Sequence, residues 1–292
     1  MAGMVKLKEE VRFSEELRWV LEVLKQVSAS ELKRLEKARL SSEDLIQEMR
    51  GCFGLLHWFQ IDTVLTRPRP GKEGILLWTS DAGFVGDLNV RVARRGLERL
   101  REQGEAVELL TVGQQAQRIL MEHGAQSTPL GAPAGPADHK GIAAIRQELV
   151  RRRLSGGMSR LQVVYPRYDS MVKQEITVRQ IFPAEAAHPE DVPVQGTERP
   201  ARRELLLEAP LPEIEGMLAG WWVEAFLTEA AWNAKLSELA TRTLRMEGAL
   251  DDLASQRQEQ VLQVFRVMHE EMDQQIREIY ASRLMMRQGG LG

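Results

Sequence analysis

The strongest constraint on this fold is a pair of long, proline-free helical segments, one at each end of the chain. From Glu213 onward there is no proline at all, and apolar residues recur at steps of three and four: Leu236, Leu239, Met246, Leu250 and Leu253, then Val261, Phe265, Met268, Met272, Ile276 and Ile279. At 1.5 Å per residue, a helix from Pro212 to Arg287 would be roughly 110 Å long, far beyond the usual helix of a globular domain. The first 66 residues also lack proline, with a comparable stripe at Leu7, Val11, Leu17, Leu21, Leu24, Leu32 and Leu35. Narrow stripes of this spacing are coiled-coil seams. Two of them at opposite ends predict one antiparallel coiled coil closed by a single chain. The steps lengthen around Arg257, which predicts a stutter there. Gly51 and Gly54 predict a bend or break near Cys52.

Between the helices the pattern changes. Arg67-Pro-Arg-Pro-Gly71 ends the first segment, because a residue before proline is pushed out of the helical region. Short apolar runs at 74–79, 107–112, 160–165 and 175–182 alternate with helical stretches at 90–103, 114–123 and 142–154, the signature of a mostly parallel sheet with crossover helices. The segment TPLGAPAGP, 128–136, reads as a loop, and the Pro- and Ala-rich stretch 183–200 as a surface loop or hairpin. The expected fold is mixed, α+β or α/β: an antiparallel coiled coil of N- and C-terminal helices (1–66 and 208–287) with an inserted Rossmann-like α/β domain (72–200).

The chemistry is sparse. With 39 basic and 42 acidic residues and a net charge of −3 among 292 residues, the chain lacks the basic balance of a nucleic-acid binder. A lone cysteine excludes an internal disulfide and multi-cysteine metal clusters, and favours a reducing compartment. The five histidines, 57, 123, 139, 188 and 269, show no paired metal-ligand spacing. No apolar run is long enough to span a bilayer. The opening MAGMVKLKEEV has no apolar core and is too acidic for a transit peptide, so a soluble cytoplasmic chain is expected.

The turn Ser80-Asp-Ala-Gly-Phe-Val-Gly-Asp-Leu-Asn89, between a strand and a helix, could cradle a phosphate. It matches neither GxGxxG nor GxxxxGK[ST], and Asp81 and Asp87 would repel an anion. A capped β–α turn is favoured. Arg146 and Arg151 to Arg153 form a basic strip that either meets an acidic partner or is simply solvated. Trp221 and Trp222, being adjacent, cannot both face one seam, so at least one packs on the α/β domain or a partner. No catalytic constellation emerges, and no metal or cofactor is expected.

Three stretches resemble the γ subunit of F-type ATP synthases. Thr79-Ser-Asp-Ala-Gly-Phe-Val-Gly-Asp-Leu-Asn89 is similar to that family's TSDxGLCGGxN turn, here with Thr79, Ser80, Asp81, Gly83, Gly86 and Asn89 in place. Leu161 to Ser170, with Gln174, Glu175 and Ile181-Phe-Pro183, is similar to VYxxFxSxxxQxPTxxxLLP. Lys25 to Lys33 is similar to the MKMVAxxKL helix. The chain departs from the family in the turn, where Val85-Gly86-Asp87 replaces Cys-Gly-Gly, and in the last helix, where only Arg266 remains of an arginine pair and His269 replaces a glutamine. It resembles a divergent γ, of the kind found in an alternative F-type ATPase. The resemblance implies a non-catalytic rotor shaft inside a hexamer of three α and three β subunits. Its foot would rest on the ε subunit and the membrane ring of c subunits. The chain would then be peripheral, on the cytoplasmic face of the inner or plasma membrane, and reach the membrane only through partners. It also makes Lys25, Arg266 and His269 the candidate stator-facing contacts. The competing reading from the residues is a coiled-coil adaptor whose Rossmann-like head binds a protein or a small anion.

Overall fold

The computed structural model describes residues 2–38, 43–59, 61, 63–67, 70–81, 83–103, 107–184 and 208–288. The stretch 183–200 read as a loop therefore falls almost wholly outside the described residues. The chain forms two compact units. One comprises residues 1–28 and 243–292, the other 29–242.

In the first unit, helix α1 (Ala2–Ala38) contributes its opening turns, and the last helix of the chain, Leu211–Gln288, contributes its C-terminal part. They run antiparallel. Ser14 Oγ donates to Gln260 Oε1 (3.2 Å), Arg257 donates to Glu15, and Lys25 Nζ pairs with Glu247 at 2.8 Å. The buried and half-buried positions include Leu7, Val11, Ser14, Leu21, Lys25 and Ser28 on α1, facing Met246, Leu250, Leu253, Arg257, Gln260, Val264, Val267 and Glu271. The α6 set keeps an unbroken four-three rhythm, and the α1 set keeps it on either side of the exposed Arg18.

This corrects the sequence reading twice. The seam runs straight through Arg257 and Gln260, so there is no stutter, and Leu17 and Leu24 lie off the seam and exposed. The physical reason is pairing. Ser14, Lys25 and Arg257, which enter the seam, each reach a partner on the opposite helix, and this pairing offsets part of the cost of burying them.

The second unit is built on a five-stranded sheet of order β3-β2-β1-β4-β5. Its strands are β1 (Lys72–Trp78), β2 (Val107–Val112), β3 (Thr128–Gly131), β4 (Met158–Tyr168) and β5 (Gln174–Phe182). The first four pair in parallel and β5 is antiparallel to β4. Strand β1 is apolar without alternation because both of its faces are covered. Ile75 and Leu77 pack under α3 (Leu88–Gln103) and α4 (Gln114–Glu122), together with Leu109, Val164, Ala116 and Leu120. Leu76 and Trp78 face the opposite layer of α2 (Glu43–Trp58), α5 (His139–Leu154) and α6, the long helix Leu211–Gln288. There α6 is rich in alanine, with Ala219, Ala225, Ala230, Ala231 and Ala234 buried. Small side chains let its backbone lie close to the sheet. Leu32, with Leu236, Leu239, Ala240 and Tyr168, closes a third apolar cluster.

Two local expectations change. Helix α2 runs through Gly51 and Gly54 without a break, since its buried Ile46, Met49 and Phe53 anchor it in the core. The segment read as a loop at 128–136 opens with strand β3. A proline is acceptable there because β3 is an edge strand and pairs with β2 on one side only.

The basic strip of α5 is internal wiring. Arg146 pairs with Glu224, Arg151 with Glu148, and Arg152 with both Glu148 and Glu108. Hydrogen bonds from Arg151 and Arg152 hold the Glu148 carboxyl down to about 2. At Glu108 partial burial opposes ionisation, but hydrogen bonds from Arg152 and Thr128 outweigh it and keep the carboxyl below its ordinary range. A carboxylate depressed in the folded state contributes stability above its unfolded pKa and loses it as pH falls through the folded value. The urea midpoint of the chain should therefore exceed that of Glu148→Gln at pH 7, with the gap closing as pH falls from about 4.5 towards 2.

Candidate functional site

The turn between β1 and α3 sits at the C-terminal ends of the parallel strands, where open α/β sheets usually bind ligands. Its residues are committed to the fold. Thr79 is buried. Its Oγ donates to the Val112 carbonyl (3.2 Å) and accepts the Ala116 amide (3.0 Å). The Asp81 carboxylate accepts the Gln114 amide. Between them Thr79 and Asp81 occupy two amides of the first turn of α4, so the chain supplies its own anion where a phosphate would otherwise sit.

Asn89, also buried, accepts the Ser80 amide through Oδ1 (3.2 Å) and donates to Ser80 Oγ (3.0 Å). That closes the turn across its base. The exposed Gly83 offers its carbonyl to Arg242 Nε on α6 (3.4 Å), and Arg242 also pairs with the buried Glu238. Gly86 adopts φ +56° and Phe84 φ +60°, with the phenyl ring in solvent. Gly86 is a natural choice for that conformation, whereas a bulky residue at Phe84 is strained there.

The remaining hollow, between the turn, residues 132–135 and Lys235, holds about 130 Å³. Its neighbour Gly113 has φ +89°, and a Cβ there would lie 2.3 Å from the Thr79 carbonyl. Gly113→Ala should thus cost more than about 1 kcal/mol from backbone conformation, and about 1–3 kcal/mol more from overpacking. Chemical denaturation of the free chain measures it.

The three positions expected to meet a stator lie elsewhere. Arg266 and His269 are exposed on the C-terminal part of α6. Lys25 is half-buried in the coiled-coil seam and paired with Glu247, a contact with its own chain. Among the described residues no cluster of His, Cys, Asp or Glu could hold a metal ion. No helix of the described residues is long and apolar enough to cross a membrane.

The sequence reading missed the most distinctive surface of the first unit. Helix α1 exposes Phe13, Leu17, Val20, Leu24 and Val27, and α6 exposes Leu262, Phe265, Met268, Met272, Ile276 and Ile279. Each series again steps by three and four, in a register offset from the seam. The signal was present as a surplus: each helix carries more apolar residues than one seam can hold. The coil therefore mixes polar side chains into its seam and carries an apolar stripe on the outside of each helix, which a free-standing coiled coil does not need. Contiguous exposed apolar surface marks a site that another molecule covers.

The chain matches the ATP synthase family over residues 4–283. Among curated proteins it resembles the ATP synthase gamma chain of Burkholderia pseudomallei (strain 1106a), 25% identical over 268 residues that cover 86% of this chain and 88% of that one. The gamma chain of Burkholderia ambifaria (strain MC40-6) is 24% identical over 262 residues. In fold it is similar to a chain in the cryo-EM structure of the Euglena gracilis mitochondrial ATP synthase OSCP/F1/c-ring (TM-score 0.69, 15% identity, 100% of this chain and 97% of that one). It is also similar to one in the central stalk and c-ring of the Tetrahymena thermophila mitochondrial enzyme (TM-score 0.59, 20% identity, 79% and 99%). A match to the family over nearly the whole chain, on a fold with a single-chain antiparallel coil and an inserted α/β sheet, means that the chain belongs to the ATP synthase γ-chain family.

Proposed function

We propose that the chain turns as the central shaft of a rotary ATP synthase or ATPase, its coiled coil lodged in a hexamer of α and β subunits and its α/β unit resting on the ε subunit and a c-ring. As a γ chain it is a non-catalytic stalk subunit of a complex that performs the catalysis. The observation that carries the fuller reading is the pair of exposed apolar stripes on the coil. A shaft inside a sleeve needs apolar surface outward, where partners cover it, and only enough attraction inward to keep two helices together. Being asymmetric, it makes different contacts with each catalytic subunit and so favours a different conformation in each. Turning it moves those populations in sequence.

The adaptor reading is weaker. It calls for an anion site in the head, whereas Asp81 and Thr79 hold the α4 amides. It also calls for a coil that closes by self-association, whereas both helices here come from one chain. Residues Arg266 and His269 remain our proposed polar contacts to the sleeve, with Lys25 serving the coil itself. The α/β unit would face the membrane ring on the cytoplasmic side, and the ion carried, H⁺ or Na⁺, is a property of the ring.

The test is co-purification of the tagged chain with its native partners, followed by an ATPase assay. Recovery of α and β subunits in excess over the chain, with turnover lost when 265–279 is removed, is the expected result. A chain that purifies alone as a homodimer would overturn the proposal.

A further inference from the structure

The seam of the coiled coil has one layer that does not close. On α1 the four-three rhythm from Leu7 to Ser28 passes through position 18, where it meets an arginine that stays exposed. The antiparallel register sets Ser14 against Gln260, and so brings Arg18, four residues on, to the level of Arg257, three residues back. One layer therefore holds two guanidinium groups. Like charges at one layer repel and are costly to bury, and each turns to a carboxylate of α1 instead: Arg18 pairs with Glu22 at 3.1 Å, and Arg257 with Glu15. What they leave is an open hollow of about 360 Å³, lined by Arg18, Ala254, Arg257, Gln258, Val261 and Leu262. A coil that had only to hold itself together would fill such a layer with a knob from one helix in a hole of the other.

Charge and position both indicate what fits the hollow. Its two arginines are already paired with carboxylates, so the charge that would attract an ion is compensated, and Ala254, Val261 and Leu262 supply apolar wall. Leu262 also belongs to the exposed apolar stripe of α6, and Leu17, next to Arg18 in the chain, to that of α1. The hollow is thus continuous with the surface that bears on the sleeve in the function proposed above.

The geometry points to a socket at the Arg18 layer that receives one apolar side chain from an α or β subunit, a knob supplied from outside in place of the one the coil lacks. The assignment rests on the shaft function proposed above. A smooth apolar stripe lets partners slide along it, whereas a knob in a hole fixes the height of the shaft. Apolar contact is non-directional, so the knob can leave as the shaft turns.

The experiment titrates the full-length chain onto α and β subunits purified from its own complex, beside hydrogen exchange of the free chain over 14–21 and 253–261. Arg18→Leu supplies the missing knob from within. It should slow exchange in both segments and weaken binding about tenfold, the scale set by burial of one apolar side chain. Arg18→Ala removes the charge but leaves the hollow open, and its binding should stay within about twofold of the unsubstituted chain. Val261→Phe fills the hollow from α6, with the same loss expected, and replaces Arg18→Leu if that variant does not fold. Unchanged binding when the hollow is filled overturns the assignment. Binding of Arg18→Ala as weak as that of Arg18→Leu also overturns it, because the partner would then be reading the arginine. If the unsubstituted chain does not bind α and β subunits at all, the shaft function itself fails, an outcome distinct from either of these.

Discussion

Replacing Phe265, Met272 and Ile276 together by glutamate should weaken binding of the chain to its α/β hexamer at least about a hundredfold, while the free chain unfolds within about 1 kcal/mol of its original stability. The three side chains are about half exposed, at 51%, 50% and 47%. Each therefore has roughly 1 kcal/mol of apolar burial still to gain from a partner, and a carboxylate put in its place would be desolvated at a cost. Glutamate is a good helix former, so α6 itself should be little disturbed. Binding measured by co-purification or by reconstituted ATPase, set beside a denaturation curve of the free chain, separates the two effects. A large loss of stability in the free chain would mean that these residues belong to an internal seam. Unaltered binding would mean that the outer stripe is not the bearing surface.

Adjacent tryptophans give the second contrast. Trp222 is 1% exposed and Trp221 is 53% exposed. The Trp222 indole N–H donates to the Ile181 carbonyl at 2.7 Å, and its ring meets Phe53 and Phe226 edge to face at 5.2 and 4.9 Å. Trp222→Ala should destabilise the chain by about 3–5 kcal/mol, since it opens a cavity between α2, α6 and β5 and leaves a buried carbonyl unpaired. Trp221→Ala should change stability by no more than about 0.5 kcal/mol. Urea denaturation of the two variants reads both, and near-equal losses would contradict the burial seen here.

That division was half legible in the sequence. Two neighbouring residues on a helix point about 100° apart, so one of the pair had to leave any single face, but which one depended on where the sheet lay. The turn at 79–89 was legible in a similar way. Its residue types identified a β–α turn, and the acidic Asp81 argued against a bound anion. That Asp81 and Thr79 would cap α4, a helix more than thirty positions on, could not be read locally, because the contact exists only once β1 and β2 pair side by side.

The basic strip of α5 failed for the same reason. Glu108 and Glu224 are remote in sequence, and only packing brings them to Arg152 and Arg146. Arg153 was read as part of a surface strip and is the most deeply buried charge in the α/β unit's described residues.

Periodicity and proline placement by themselves determined that two long helices flank an alternating strand–helix insert, and the order of motifs determined the family resemblance. These are local or near-local signals, written in spacings of a few residues. Tertiary structure alone decided which apolar stripe of each helix is the seam. Two stripes with the same three-four rhythm are indistinguishable along one chain. The choice falls to the register in which Ser14 meets Gln260, Glu15 meets Arg257 and Lys25 meets Glu247. In that register polar groups are satisfied across the axis, and the remaining apolar residues are left facing outward, where a free coil has no use for them and a sleeve does.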